Sequence, residues 1–156
     1  PSSSFRLPQT IARYFLVMFG DHQAAIENGF YEALYGKSMK ELTAEEADKQ
    51  YVTPFIIWTN YELESQEIDK ISANYLGAKI LETANLELTD YDKLLLKTWD
   101  SIPALTKNGY YLADGSYTAW GKNTEKPEEL LDYQKLEYNA VADRKNRIDE
   151  FFTITP

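Results

Sequence analysis

Asp21 and His22 are the residues of this chain whose types and spacing could do metal chemistry. They follow the apolar run "YFLVMF" and Gly20, and His22 is the chain's one histidine. A carboxylate supplies a hard oxygen and an imidazole a borderline nitrogen, a mix that suits zinc or manganese. In open α/β sheets, ligand sites collect where strands end at their carboxyl edge, and Gly20 would permit a sharp turn there. Two adjacent ligands cannot hold a metal by themselves, since a zinc-type site uses about four. The other reading is a polar turn, with Asp21 capping the N-terminus of the next helix.

No companion ligand set stands out. Glu27 and Glu32 fall on a helical pattern and read as a solvated face. Asp114, in "LADGS", carries a turn signal. The chain has no cysteine, which removes thiolate metal sites, cysteine nucleophiles and disulfide frameworks. It contains no G-x-S-x-G elbow and no phosphate loop. Trp58, Trp99 and Trp120 could stack on a sugar, but core packing is the better reading of them.

Two continuous apolar stretches should position the pair. Residues 14–19 and 54–59 read as strands buried on both faces, as in parallel sheets covered by helices. Pro54 belongs at the start of its strand, because it cannot donate a ladder hydrogen bond. A weaker strand is expected over about 109–113. Helices are expected over about 25–35, 73–84, 90–102 and 127–146. Ser72 and Thr89 stand as N-caps, with Thr89 and Asp92 forming a T-x-x-D signal. "SMKELTAEEADKQ" reads as a charged loop with one helical turn begun at Thr43. Interleaved helices and doubly buried strands predict an α/β layered architecture with a few mainly parallel strands. Two strong strands are few for such a sheet, so the pattern hints at a larger sheet or a second chain.

The 156 residues suffice for one domain of ordinary size. A formal net charge of −9 repels phosphate backbones and anionic lipid, so nucleic-acid binding is not expected. No apolar run approaches the ~20 residues of a membrane helix, and no signal peptide is visible. "PSSSFRLPQ" reads as an irregular arm or a cloning remnant over residues 1–10. The first residue is Pro1, which fits a processed product, an expressed piece or a chain whose initiator was removed.

Four segments in order carry a resemblance: "VMFGDHQ", "YVTPFIIWTNY", "SANYLGAKILETANL" and "LLDYQKLEYNAVADRKN". Over residues 11–152 the chain resembles the C-terminal part of the lipoteichoic acid synthase family, the phosphoglycerol transferases and sulfatase-like enzymes of the alkaline phosphatase superfamily. The resemblance implies a partial alkaline-phosphatase-like layered fold with a largely parallel central sheet. It implies a divalent metal, commonly manganese, with zinc or calcium as alternatives. It also implies a nucleophilic threonine that attacks a phosphodiester and forms a covalent phosphoglycerol intermediate. The family's Asp-His metal ligands map onto Asp21 and His22. Its threonine and acidic ligand lie well upstream of that pair, and nothing here maps onto them; no motif supports Thr10, Thr53 or Thr59. The family's proline after the glutamine is Ala24 here, and its membrane helices are absent.

Residues 11–156 are therefore expected to be the C-terminal portion of a sulfatase-like catalytic domain. That portion would have no catalytic nucleophile of its own and would be inactive alone. Its parent would be membrane-anchored and would work on phosphodiester or sulfate ester groups at the outer face of the cytoplasmic membrane. The alternative is a non-catalytic module derived from that fold. An exposed sheet edge would then be covered by self-association, or by the missing N-terminal half.

Overall fold

The structure is a computed structural model that describes residues 12–121, 124–143 and 145–154. The arm expected over residues 1–10 lies outside them. The described residues mix helices with two small antiparallel sheets. In order, β1 (Phe15–Phe19), α1 (Asn28–Tyr35), α2 (Ala44–Asp48) and β2 (Phe55–Thr59) form the first part. Then come α3 (Ala73–Thr83), α4 (Asp90–Ser101), β3 (Ala104–Leu105), β4 (Gly109–Tyr111), β5 (Tyr117–Ala119) and α5 (Glu128–Val141).

The helices sit close to where spacing and caps put them. Thr89 accepts a hydrogen bond from the Asp92 N–H at 3.1 Å, and Asp92 accepts from the Thr89 N–H at 3.0 Å. This reciprocal box starts α4. α1 begins three residues later than expected, and α5 ends at Val141 rather than near 146. Ser72 precedes α3 but makes no side-chain cap. Its hydroxyl donates to the Leu105 carbonyl instead and pins β3.

The core lies away from the two apolar strands. Tyr75 and Ala78 of α3, Leu95 of α4, Ile102, Tyr110 of β4, and Leu130 and Tyr133 of α5 form one buried cluster. Three helices thus close over the meander β3–β4–β5, in which consecutive strands pair antiparallel. Trp99 and Trp120 pack against this cluster, with their indole N–H groups donating to the Lys70 and Thr106 carbonyls. Trp58 lies on β2, so the three tryptophans do not share a platform.

β1 and β2 pair antiparallel, with Phe15 opposite Thr59 and Phe19 opposite Phe55. The mainly parallel sheet expected from the sequence is not present among the described residues. A continuous apolar run reports burial but carries no information on strand direction. Nor are the strands buried on both faces. Leu16, Met18, Ile56 and Trp58 share one face and are 50–61% exposed. Phe15, Val17, Phe55 and Ile57 on the other face are only half-buried. Nine of the ten residues in "FLVMF" and "FIIWT" are apolar, yet none is buried.

α2 is short and held by charge. Thr43 and Glu46 form its capping box, and Lys37 Nζ lies 2.6 Å from Glu46 Oε2. The Lys37 ammonium first, and the Thr43 N–H second, draw the Glu46 carboxyl down from 4.5 to about 2. A depressed carboxylate contributes stability that is present above about pH 4.5 and is lost as pH falls toward about 2. Thermal unfolding followed from pH ~6 downward should show this loss. Glu46→Gln should be less stable at neutral pH and should flatten the acid limb of the profile.

Candidate functional site

The Asp-His pair sits where β1 ends. Gly20 extends the ladder by one step, its N–H donating to the Pro54 carbonyl at 3.1 Å. Pro54 has no N–H to return, and the Thr53 hydroxyl donates to the Gly20 carbonyl at 2.8 Å in its place. Glycine is needed at position 20 for closeness rather than for a turn, since a Cβ there would meet Thr53 Cβ at 2.9 Å. The chain then leaves the ribbon, and both side chains of the pair lie in the open, His22 77% and Asp21 81% exposed.

Two hydrogen bonds shape the pair. Asp21 Oδ1 accepts from the His22 backbone N–H at 2.8 Å. His22 Nδ1 lies 2.8 Å from the Gln23 carbonyl oxygen. A carbonyl only accepts, so Nδ1 carries the proton. In the neutral ring Nε2 then keeps its lone pair, the arrangement of a metal-ligating histidine whose other nitrogen is anchored. Nε2 stands 3.6 Å from Asp21 Oδ2. Ligand bonds of ~2.0–2.1 Å put neighbouring donors of a tetrahedral site about 3.3 Å apart. The two atoms are therefore close to the bite that one cation needs.

Asp21 does not cap the following helix. α1 starts at Asn28 with Glu27 before it and no side-chain cap. The Asp21 carboxylate spends one oxygen on its own turn and leaves Oδ2 turned toward the imidazole.

Gln23, not among the candidates that residue type and spacing pick out, ties this loop down. Its amide N–H groups donate to the carbonyls of Val52 at 2.7 Å and Lys49 at 3.1 Å. Its carbonyl oxygen accepts from the Tyr31 hydroxyl at 3.2 Å. The loop is thus bound to residues 49–52 on one side and to α1 on the other. No local signal marks this role, because the partners lie 26 and 29 residues away.

Comparison with family models, curated proteins and solved structures finds no match to this chain.

The other candidates stay apart from the pair. Glu32 accepts from the Met39 N–H, and Asp114 accepts from the Ser116 N–H as a turn residue. Hydrogen bonding from Ser116 holds the Asp114 carboxyl below its ordinary value. Among the described residues, no third histidine, aspartate or glutamate gathers with another two into a cation site. Asp21 and His22 fit two positions of a metal shell and supply no more.

A second cluster of polar groups lies elsewhere. Asp48, at the end of α2, is 4% exposed. Its Oδ2 accepts from the Thr106 hydroxyl and from the Tyr117 hydroxyl at 2.6 Å, and its Oδ1 accepts from Asn108 Nδ2 at 2.7 Å. Thr106 Oγ1 accepts in turn from the Gly109 N–H at 2.8 Å. Asp48 itself is buried and each of these donors has a partner, so Asp48 acts as a clasp between α2 and the meander.

Proposed function

We propose that this chain is the C-terminal portion of a metal-dependent phosphoglycerol transferase or sulfatase-like hydrolase of the alkaline phosphatase superfamily. Asp21 and His22 would be two of its metal ligands. The observation that carries the reading is the geometry at the end of β1. Nε2 with its lone pair and Asp21 Oδ2 stand side by side in the open, on a loop pinned by Gln23. An oxygen and a nitrogen donor together favour manganese or zinc over calcium, which prefers oxygen throughout. When bound, the cation polarises phosphoryl oxygens and lowers the pKa of a nucleophile. Asp21 lends it negative charge, and the Gln23 carbonyl holds the His22 ring in the ligating tautomer.

The uncovered β1–β2 ribbon supports the view that a larger domain surrounds this chain. Exposed apolar surface on both faces of a sheet calls for cover. In the complete enzyme the ribbon would join a larger layered α/β sheet with parallel strands. The preceding polypeptide would supply the nucleophile, the remaining ligands and a membrane anchor that sets the work at the outer face of the cytoplasmic membrane. Alone, the chain would be inactive.

The test is expression of the chain together with the polypeptide encoded ahead of it. Manganese-dependent cleavage of bis(4-nitrophenyl) phosphate is expected. Asp21→Ala or His22→Ala should lower it by ~100-fold or more. Turnover indifferent to both substitutions, or robust turnover by residues 1–156 alone, would sink the assignment.

The exposed ribbon also favours a second reading, a non-catalytic module that covers its apolar faces by self-association. Sedimentation separates the two, since a clean monomer at high concentration counts against such a module.

A further inference from the structure

The free edge of β2 is built to receive another strand. In an antiparallel pair, alternate residues direct both backbone groups at the partner, and those between direct them away. The Gly20 N–H bonds the Pro54 carbonyl, and the Asn60 N–H bonds the Tyr14 carbonyl. Residues 54, 56, 58 and 60 therefore face β1. Phe55, Ile57 and Thr59 turn their N–H and C=O groups to the opposite edge. Among the described residues, none of these six groups has a hydrogen-bond partner.

That edge does not open onto bulk solvent alone. A cavity of about 1020 Å³ runs along it, and all five residues of β2 line it. Its far wall is α3, through Lys79, Glu82 and Thr83. The connection from β2 to α3, residues 60–72, has no helix or strand, and its residues 61–68 line the rest of the cavity. Structureless connections of this length are uncommon inside compact domains and often serve binding. The volume reaches the upper end of small-molecule pockets, roughly 300–1,000 Å³. The groove form and the unpaired backbone suit a polypeptide better.

Charge narrows the occupant. Glu62, Glu64, Glu67 and Glu82 line the cavity, and among the described residues Lys79 is its one lining cation. The Lys79 ammonium is already bound to Glu82 at 2.8 Å. The surplus is negative along the whole rim, in a chain of net charge −9.

We infer that the slot between β2 and α3 takes an extended polypeptide strand with basic residues alternating with apolar ones. The strand adds edge-on to Phe55, Ile57 and Thr59. Main-chain hydrogen bonds give such a complex its affinity, and alternate side chains give it specificity. A strand spaced ~4.8 Å from β2 directs one set of side chains to one of the ribbon's two apolar faces. Lysines or arginines of the other set meet the glutamates. The inference rests on the ribbon belonging to a larger sheet, but not on the chemistry assigned to Asp21 and His22.

The experiment uses the whole chain and a seven-residue peptide of alternating lysine and valine. Backbone amide exchange is read by NMR. Bound peptide should slow exchange at Phe55, Ile57 and Thr59 by ~10-fold or more and leave Ile56 and Trp58, already paired with β1, within about twofold. A peptide N-methylated at alternate positions should fail, and a glutamate-for-lysine peptide should bind ~10-fold more weakly or not at all. Ile57→Pro removes one edge N–H without touching the β1 ladder and should abolish binding. Glu62→Lys with Glu64→Lys should weaken it while leaving the circular dichroism unchanged. Protection at Phe15, Val17 and Phe19 instead would overturn the proposal. So would protection that rises with protein concentration in the absence of peptide, which assigns the edge to a second copy, and so would no binding at millimolar peptide. None of these results depends on manganese or on turnover, so failure of the proposed activity leaves them readable.

Discussion

Asp48→Ala is expected to destabilise the fold by about 3–5 kcal/mol. The substitution removes the one acceptor that serves Thr106, Asn108 and Tyr117 together. The Asn108 amide and the Tyr117 hydroxyl are then left without a partner at a site that is 4% exposed in the native protein, while the Thr106 hydroxyl turns to the Gly109 carbonyl at 2.9 Å. Each unsatisfied buried donor costs about 1–3 kcal/mol, and partial access of water lowers the sum. Against a typical stability of about 5–15 kcal/mol, that loss moves the urea midpoint by a large fraction. Asp48→Asn keeps an oxygen on one side only, so it should fall between wild type and alanine. The Tyr117 phenol gives a local readout. Burial first, then its bond to the Asp48 carboxylate, push it up to about 12. In Asp48→Ala its spectrophotometric titration should shift downward. A loss below about 1 kcal/mol with no such shift would show that the clasp contributes little.

Tyr75 should respond with opposite signs to two truncations. Its side chain is fully buried at the centre of the core, and the ring packs edge-on against Tyr133 at 6.2 Å between centroids. Its hydroxyl has no hydrogen-bond partner among the described residues. Burial drives the phenol far above its ordinary pKa, and the nearby Asn74 side chain offsets this in part. A buried hydroxyl without a partner carries a desolvation penalty that phenylalanine does not. Tyr75→Phe should therefore be neutral or up to about 1 kcal/mol more stable. Tyr75→Ala empties an aromatic site and should lose about 3–5 kcal/mol. Equilibrium urea unfolding with unchanged slope measures both. A loss above about 1 kcal/mol in the phenylalanine variant would show that the hydroxyl is partnered, by the Asn74 side chain or by a water.

The helices were legible because their signals are local. A T-x-x-D box, a proline at Pro127 and stripes of apolar residues each act within one or two turns. α3 and α4 accordingly end within one residue of the expected positions. The strands were legible in place but not in partner. The apolar content of β1 and β2 says that both faces want cover, and helices interleaved with such strands predict a layered sheet of mainly parallel strands. The strands pair with each other in the opposite sense, and their cover is not within the described residues. At the candidate site, Asp21 and His22 could be picked out by residue type alone. Gln23 and Asp48 could not. The partners of Asp48 stand 58, 60 and 69 residues away, and "SMKELTAEEADKQ" gives no hint that one of its carboxylates is buried.

The long connection inside the ribbon has an entropic consequence. Residues 20–54 close the loop between Phe19 and Phe55, where a tight hairpin uses only two to five residues. Chain closure over that length costs ~2 kcal/mol more than over four residues. Two five-residue strands with solvent on both faces have little burial to offset it. The ribbon is thus expected to open before the α3–α4–α5 core, which hydrogen exchange at Ile56 and Trp58 would register. Any strand that seats beside β2 would raise its stability as well as extend it. The order of assembly would then run from the core outward, with the strand that carries Asp21 and His22 at its end gaining stability when the neighbouring strand arrives.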